Sequence, residues 1–189
     1  MSAEDDPRPP SVEVPDGWVE LETTTERVFS VSKVTVTATT VVYEDERLRE
    51  RVERETDAAF HRFVFASRLR LRPSATPSKP LTKLVTSRAK AGFADRLEAR
   101  GMADVDACET RRFRVDGTDA PLVGYDATCT IEGTTLAVDG WVAVWPGADG
   151  EYFVAGGAYP THVLEGDLSE VLEPNRFRND LFSILRSVR

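Results

Sequence analysis

Residues 61–100 hold ten Lys or Arg and only two acids, Asp95 and Glu98, a net of +8 in a chain whose total is −8, so the remainder sums to −16. A basic island inside an acidic chain creates a local field that attracts anions. Its cations fall into two groups. Arg68, Arg70 and Arg72 alternate with apolar residues, whereas Lys79, Lys83 and Lys90 would fall within about 40° of one another on a helix turning about 100° per residue. The chain has 20 arginines and four lysines, and three of those lysines are here. An ammonium in a chain that otherwise uses guanidinium suits a point-charge contact to carboxylate or phosphate. Arg68, Arg70, Arg72, Lys79, Lys83 and Lys90 are therefore the candidate partner-binding residues, on condition that strand and helix turn the same way.

Other residue types with chemical potential are each better explained by structure. A nucleophilic reading would pair Cys108 or Cys129 with His61 or His162 and a carboxylate. No local signature links them, and Cys129 shares the apolar parity of Tyr125, Ala127 and Ile131. His162 and Glu165 have the i, i+3 spacing that two metal ligands use, but no second pair accompanies them. Asp126 and Asp139 lie in strands, where a carboxylate raised in pKa by its neighbours serves as general base. Asp126, however, alternates with Thr128 and Thr130 on what reads as a wet side. Trp141 and Trp145 share parity with Asp139 and either line a ligand pocket or anchor the sheet beneath a helix; the second is the simpler account. Gly156-Gly157 lies within a strand pattern with no Lys-Ser/Thr after it, which marks a bulge or close packing and not a phosphate loop. No cofactor and no metal site is expected.

The elements that must position these residues are legible from periodicity and turn signals. Residues 1–16 combine four prolines with acids and read as a solvated tail. Trp18–Thr24 reads as a first strand, and Val28–Tyr43 is rich in Val and Thr, with a bulge or break near Ser32 and Lys33 where the parity changes. Glu44–Asp57 reads as a short helix showing Leu48 and Val52 to the core. Phe63, Phe65, Leu69 and Leu71 then alternate with Arg62, Arg68, Arg70 and Arg72, the pattern of a strand with one wet face. Ser78 caps a long helix from about Lys79 to Arg100, with Leu81, Val85, Ala89, Phe93 and Leu97 as its buried stripe and Gly101 as its stop. Strands follow near 108–115, 121–131, 134–145 and 151–158, with tight turns at Asp116-Gly117 and Glu132-Gly133. A last amphipathic helix, about 175–188, should lie across the sheet.

The reading is α+β: one domain over residues 17–189, an antiparallel sheet of about six to seven strands with a long helix and a C-terminal amphipathic helix packed on it. The VPDGW entry, the helix through AKAGFADRLEARGM, the strand EYFVAGGAYP and the LFSILRSVR ending are similar to small α/β/α sandwiches of the PsbP/Mog1-like type. That resemblance implies a domain that binds proteins or serves assembly and carries over no catalytic residues; cystatin-like and other helix-plus-curved-sheet folds stay open beside it. The acid excess and arginine bias resemble the composition of halophilic proteins.

Two unpatterned cysteines fit a reducing compartment, and the amino terminus has neither a basic start nor an apolar run. No stretch approaches about 18 apolar residues. A cytoplasmic protein without membrane contact is expected. Nucleic acid is disfavoured, because Phe63 and Phe65 fall on the buried parity and leave nothing to stack bases. In molar salt, moreover, a Debye length of about 3 Å leaves phosphate contacts little strength. The expected function is a non-catalytic binding or accessory domain that engages an acidic protein or an anionic small molecule through the basic island. The rivals are an enzyme with a pocket near Trp141, Trp145 and Asp139, and a structural homo-oligomer.

Overall fold

The computed structural model describes residues 6–31, 34–56, 58–148 and 150–189. In chain order the elements are β1 (Trp18–Val31), β2 (Val34–Asp45), α1 (Glu46–Glu55), β3 (Phe63–Arg72), α2 (Lys79–Ala99), β4 (Met102–Val115), β5 (Thr118–Ile131), β6 (Thr134–Pro146), β7 (Glu151–Glu165) and α3 (Pro174–Ser187). The strands form a seven-stranded sheet in the order β1-β2-β3-β7-β6-β5-β4, antiparallel throughout. Strands β4 to β7 are the expected meander, and β7 then pairs with β3 in the centre. The β4–β5 and β5–β6 hairpins turn on Asp116-Gly117 and Glu132-Gly133, all four residues at positive φ. That conformation matches the right-handed twist of the flanking strands.

Helices cover both faces. On one, Phe93 of α2 packs against Phe65 and Tyr125, with ring centroids at 5.9 and 5.3 Å, and a Cβ at Gly140 would meet Phe93 and Leu97. On the other, Phe182 of α3 stands edge-on to Trp141 at 5.5 Å, and a Cβ at Gly157 would touch Leu181. The central strand β7 is in consequence buried without interruption from Tyr152 to Pro160, as a strand covered on both sides must be. Gly156 and Gly157 belong to this close packing: a Cβ at either would lie 2.5 Å from a carbonyl oxygen, of Trp141 and Phe63 respectively. Trp141 and Trp145 are core residues, 4% exposed, packed on Phe182 and Phe153.

Three expectations need correction. The arginine face of β3 is not wet along its length: Arg62 is buried between the Trp18 and Phe177 rings, because α3 packs on that face too. The strand expected from 108 begins at Met102, directly after Gly101 (φ +80°) ends α2. Residues 6–16, expected to be solvated, are docked. Pro7 and Pro10 are buried, Val12 and Val14 pack on the core, and Ser11 exchanges backbone hydrogen bonds with Arg189 at 2.8 and 3.0 Å. The expected break at Ser32 and Lys33 lies outside the described residues, and an irregularity of register falls between Arg27 and Phe29 of β1.

Candidate functional site

Helix α2 begins where the sequence places its signals. The Ser78 hydroxyl accepts the Leu81 N–H, and Pro80 occupies the first turn, where its missing N–H costs nothing. Val85, Phe93 and Leu97 are its buried residues. This registration brings Lys79, Lys83 and Lys90 to one flank, where they line an open groove of about 760 Å³ with Ser87, Pro121 and Pro146. None of the three lysines pairs with a carboxylate among the described residues. The Thr86 hydroxyl, in the same lining, is buried without a hydrogen-bond partner there.

The other half of the predicted patch lies elsewhere. Arg68 and Arg70 pair in register with Phe153 and Glu151 on the α3 face, whereas α2 packs on the opposite face. The sheet therefore separates the arginines from the lysines, and the six candidates make no common surface. Arg70 donates to Glu151 at 2.7 and 3.2 Å. Arg68 lies over the Phe153 ring with its Nε 3.8 Å from the same carboxylate. Arg72 is exposed at the strand end and is also engaged. The arginine trio is largely committed within the fold.

Sequence reasoning passed over three other cations of the island. Arg88, Arg96 and Arg100 lie along α2 on the flank facing β1–β3, over the rings of Phe29, Phe65 and Phe63 at 5.7, 4.6 and 4.2 Å. Burial lowers the pKa of Arg96, with Glu22 and Glu26 opposing; it also lowers that of Arg100, where the charge of Arg96 acts in the same sense. The spacing 88, 96, 100 was a usable signal, since the steps of eight and four keep to one side of a helix.

The remaining candidates carry no assembled chemistry. Cys129 and His61 line one small pocket of about 130 Å³ with Arg100. Yet burial raises the Cys129 pKa, the reverse of what a thiolate nucleophile needs. His61 Nδ1 is instead 2.9 Å from Glu44. Burial, and then Asp126, raise Cys108 as well. His162 is exposed and contacts Thr161, and among the described residues no three His, Cys, Asp or Glu are placed to hold a metal ion. Asp126 is exposed, as its alternation predicted. Asp139 is half-buried and accepts the Tyr159 hydroxyl at 3.2 Å. Burial raises its pKa, the Tyr159 hydrogen bond lowers it, and Asp126 raises it further. The Trp141 indole N–H is buried with no hydrogen-bond partner among the described residues.

A family model described as a domain of unknown function, DUF6517, matches residues 7–189. The chain belongs to that family. The match takes in the docked segment from Pro7 onward along with every strand and helix. No curated protein matches the chain. Among the described residues of this DUF6517 chain, no helix is long and apolar enough to cross a membrane.

Proposed function

We propose that this protein is a non-catalytic binding module that engages an acidic surface of a partner protein through the lysine flank of α2. The observation that carries the reading is the convergence of Lys79, Lys83 and Lys90 on one open groove, with no carboxylate to answer them among the described residues, in a chain of net charge −8. Ammonium groups on a helix side attract carboxylates without demanding bidentate geometry, which suits a protein surface better than one fixed small ligand. The helix–sheet–helix layering is in keeping with the PsbP/Mog1-like resemblance, whose members mostly bind proteins. The rival enzyme reading loses its pocket, since Trp141 and Trp145 are occupied by Phe182 and Phe153. Asp139 keeps a raised pKa but answers to Tyr159.

The test is binding of a polyglutamate peptide, followed by fluorescence anisotropy, to the wild type and to the triple variant Lys79→Glu, Lys83→Glu, Lys90→Glu. Lys79 and Lys83 are exposed and Lys90 is half-exposed, so the variant should keep its circular dichroism and melting temperature. Binding should be lost in the variant and should weaken with salt in the wild type. Equal binding by both proteins would sink the proposal.

A further inference from the structure

Helix α2 packs chiefly over β4, β6 and β7, and between its other flank and β1–β3 a cleft of about 340 Å³ forms. Its floor is apolar, made by Ala38, Phe65, Leu69, Val85, Phe93 and Val154. Set in that floor, the hydroxyls of Thr40 and Ser67 hydrogen-bond each other at 2.7 Å. Each hydroxyl has one proton, so the pair retains one proton to donate. Arg88 and Arg96 line the helix side and lie on the Phe29 and Phe65 rings; among the described residues neither has a carboxylate within ion-pair distance, and Glu22 and Glu26 act on Arg96 only as more distant charges. A guanidinium lying on a ring face keeps its edge N–H donors available, in the fork that fits a carboxylate or phosphate. Glu26 and Asp95 also line the cleft, but neither comes within ion-pair distance of either arginine. Burial lowers the Arg96 pKa although the charges of Glu22 and Glu26 oppose it, so an anion arriving in direct contact offsets more of the desolvation of the guanidinium.

We propose that this cleft binds a small amphipathic anion: an apolar chain laid along the floor and ending in one carboxylate or phosphate, held by Arg96 with Arg88 as second cation. The volume lies at the low end of the roughly 300–1,000 Å³ of small-molecule sites, which limits the ligand to a single short chain. The helix wall leaves room for it, since Gly92 lines the cleft and a Cβ there would meet nothing within 4 Å. The site shares no residue with the lysine groove, and neither proposal depends on the other.

Decanoate and decyl phosphate are the probes, titrated calorimetrically into the whole chain, with decanol as the uncharged counterpart. At least one anion should saturate at one per chain, and which of the two does so identifies the head group. Arg96→Gln should weaken that binding at least tenfold. Gly92→Phe, at an exposed position, should block the cleft and abolish binding without loss of fold, and Lys83→Glu should leave the affinity unchanged. Absence of saturable binding by either anion overturns the proposal. So does binding that Arg96→Gln and Gly92→Phe both leave intact, or equal affinity for decanol.

Discussion

A guanidinium withdrawn from water needs every one of its partners, and Arg62 shows how many elements one side chain then ties together. It is 2% exposed, donates to Asp45 at 2.7 Å and to the Phe177 carbonyl at 2.7 Å, and reaches Asp180 at 3.4 Å. Asp45 is itself the cap of α1, accepting the Leu48 N–H at 3.0 Å. Arg62→Ala would leave Asp45 without its counter-charge in the interior, and a loss of about 3–5 kcal/mol is expected in urea unfolding. The Asp139–Tyr159 pair supplies a pH signature. Burial and the adjacent Asp139 push the Tyr159 hydroxyl up to about 12 from 10.0. A raised folded pKa means that this group's contribution to stability is complete below pH 10 and is lost as pH rises through 12. Asp139, raised from 3.8 mainly by burial, behaves in the same sense at the acid end: its contribution is complete below 3.8 and declines as the carboxylate forms. Unfolding free energies measured from pH 9 to 12 should therefore fall less steeply in Tyr159→Phe than in the wild type. Asp139→Asn, whose amide oxygen still accepts from Tyr159, should be more stable than the wild type at pH 7.

Helix α2 carries both proposed sites, so its own stability bears on both. Gly92 is exposed near its middle, where a glycine costs roughly 0.5–1 kcal/mol relative to alanine. With free space around the new methyl, Gly92→Ala should raise stability by about that amount in thermal unfolding. The paired glycines of β7 answer oppositely. A methyl on Gly157 would lie 2.5 Å from the Phe63 carbonyl oxygen and 2.9 Å from Leu181, so strand β3 or helix α3 must shift. Gly157→Ala should cost about 3 kcal/mol, the upper part of the overpacking range, since the nearest obstacle is backbone. The contrast was only half legible in the sequence. Both glycines stood in apolar-rich or helical runs, but whether a Cβ has room depends on what crosses above it.

At the scale of the whole molecule, coverage of the two sheet faces is unequal. The α3 face is covered by α3 and by the docked segment 6–16, with Thr39 of β2 donating to the Pro7 carbonyl, while the α2 face carries a cleft between α2 and β1–β3. Removing residues 1–16 would expose Val12 and Val14 contacts and break the Ser11–Arg189 exchange. A loss of about 3 kcal/mol is expected from that apolar area and those hydrogen bonds, or about 6–12 °C in melting temperature. What is local could be read from the chain. The Asp-Gly and Glu-Gly turns, the Ser78 cap, the Gly101 stop and the period-two runs all act over a few residues, so about six to seven strands and the three helices could be read directly. Proline content made 1–16 look solvated, because the strap's carbonyl and N–H partners, Thr39 and Arg189, are remote in the chain. The wet-looking face of β3 misled for the same reason: alternation says that two faces differ, not whether a second helix lies on the polar one. That the helix after β3 packs on the face away from Arg68 and Arg70, which splits the basic island, came from the folded arrangement alone. A strand's continuation can turn to either side of its sheet, and the choice is made by long-range packing that no local pattern records.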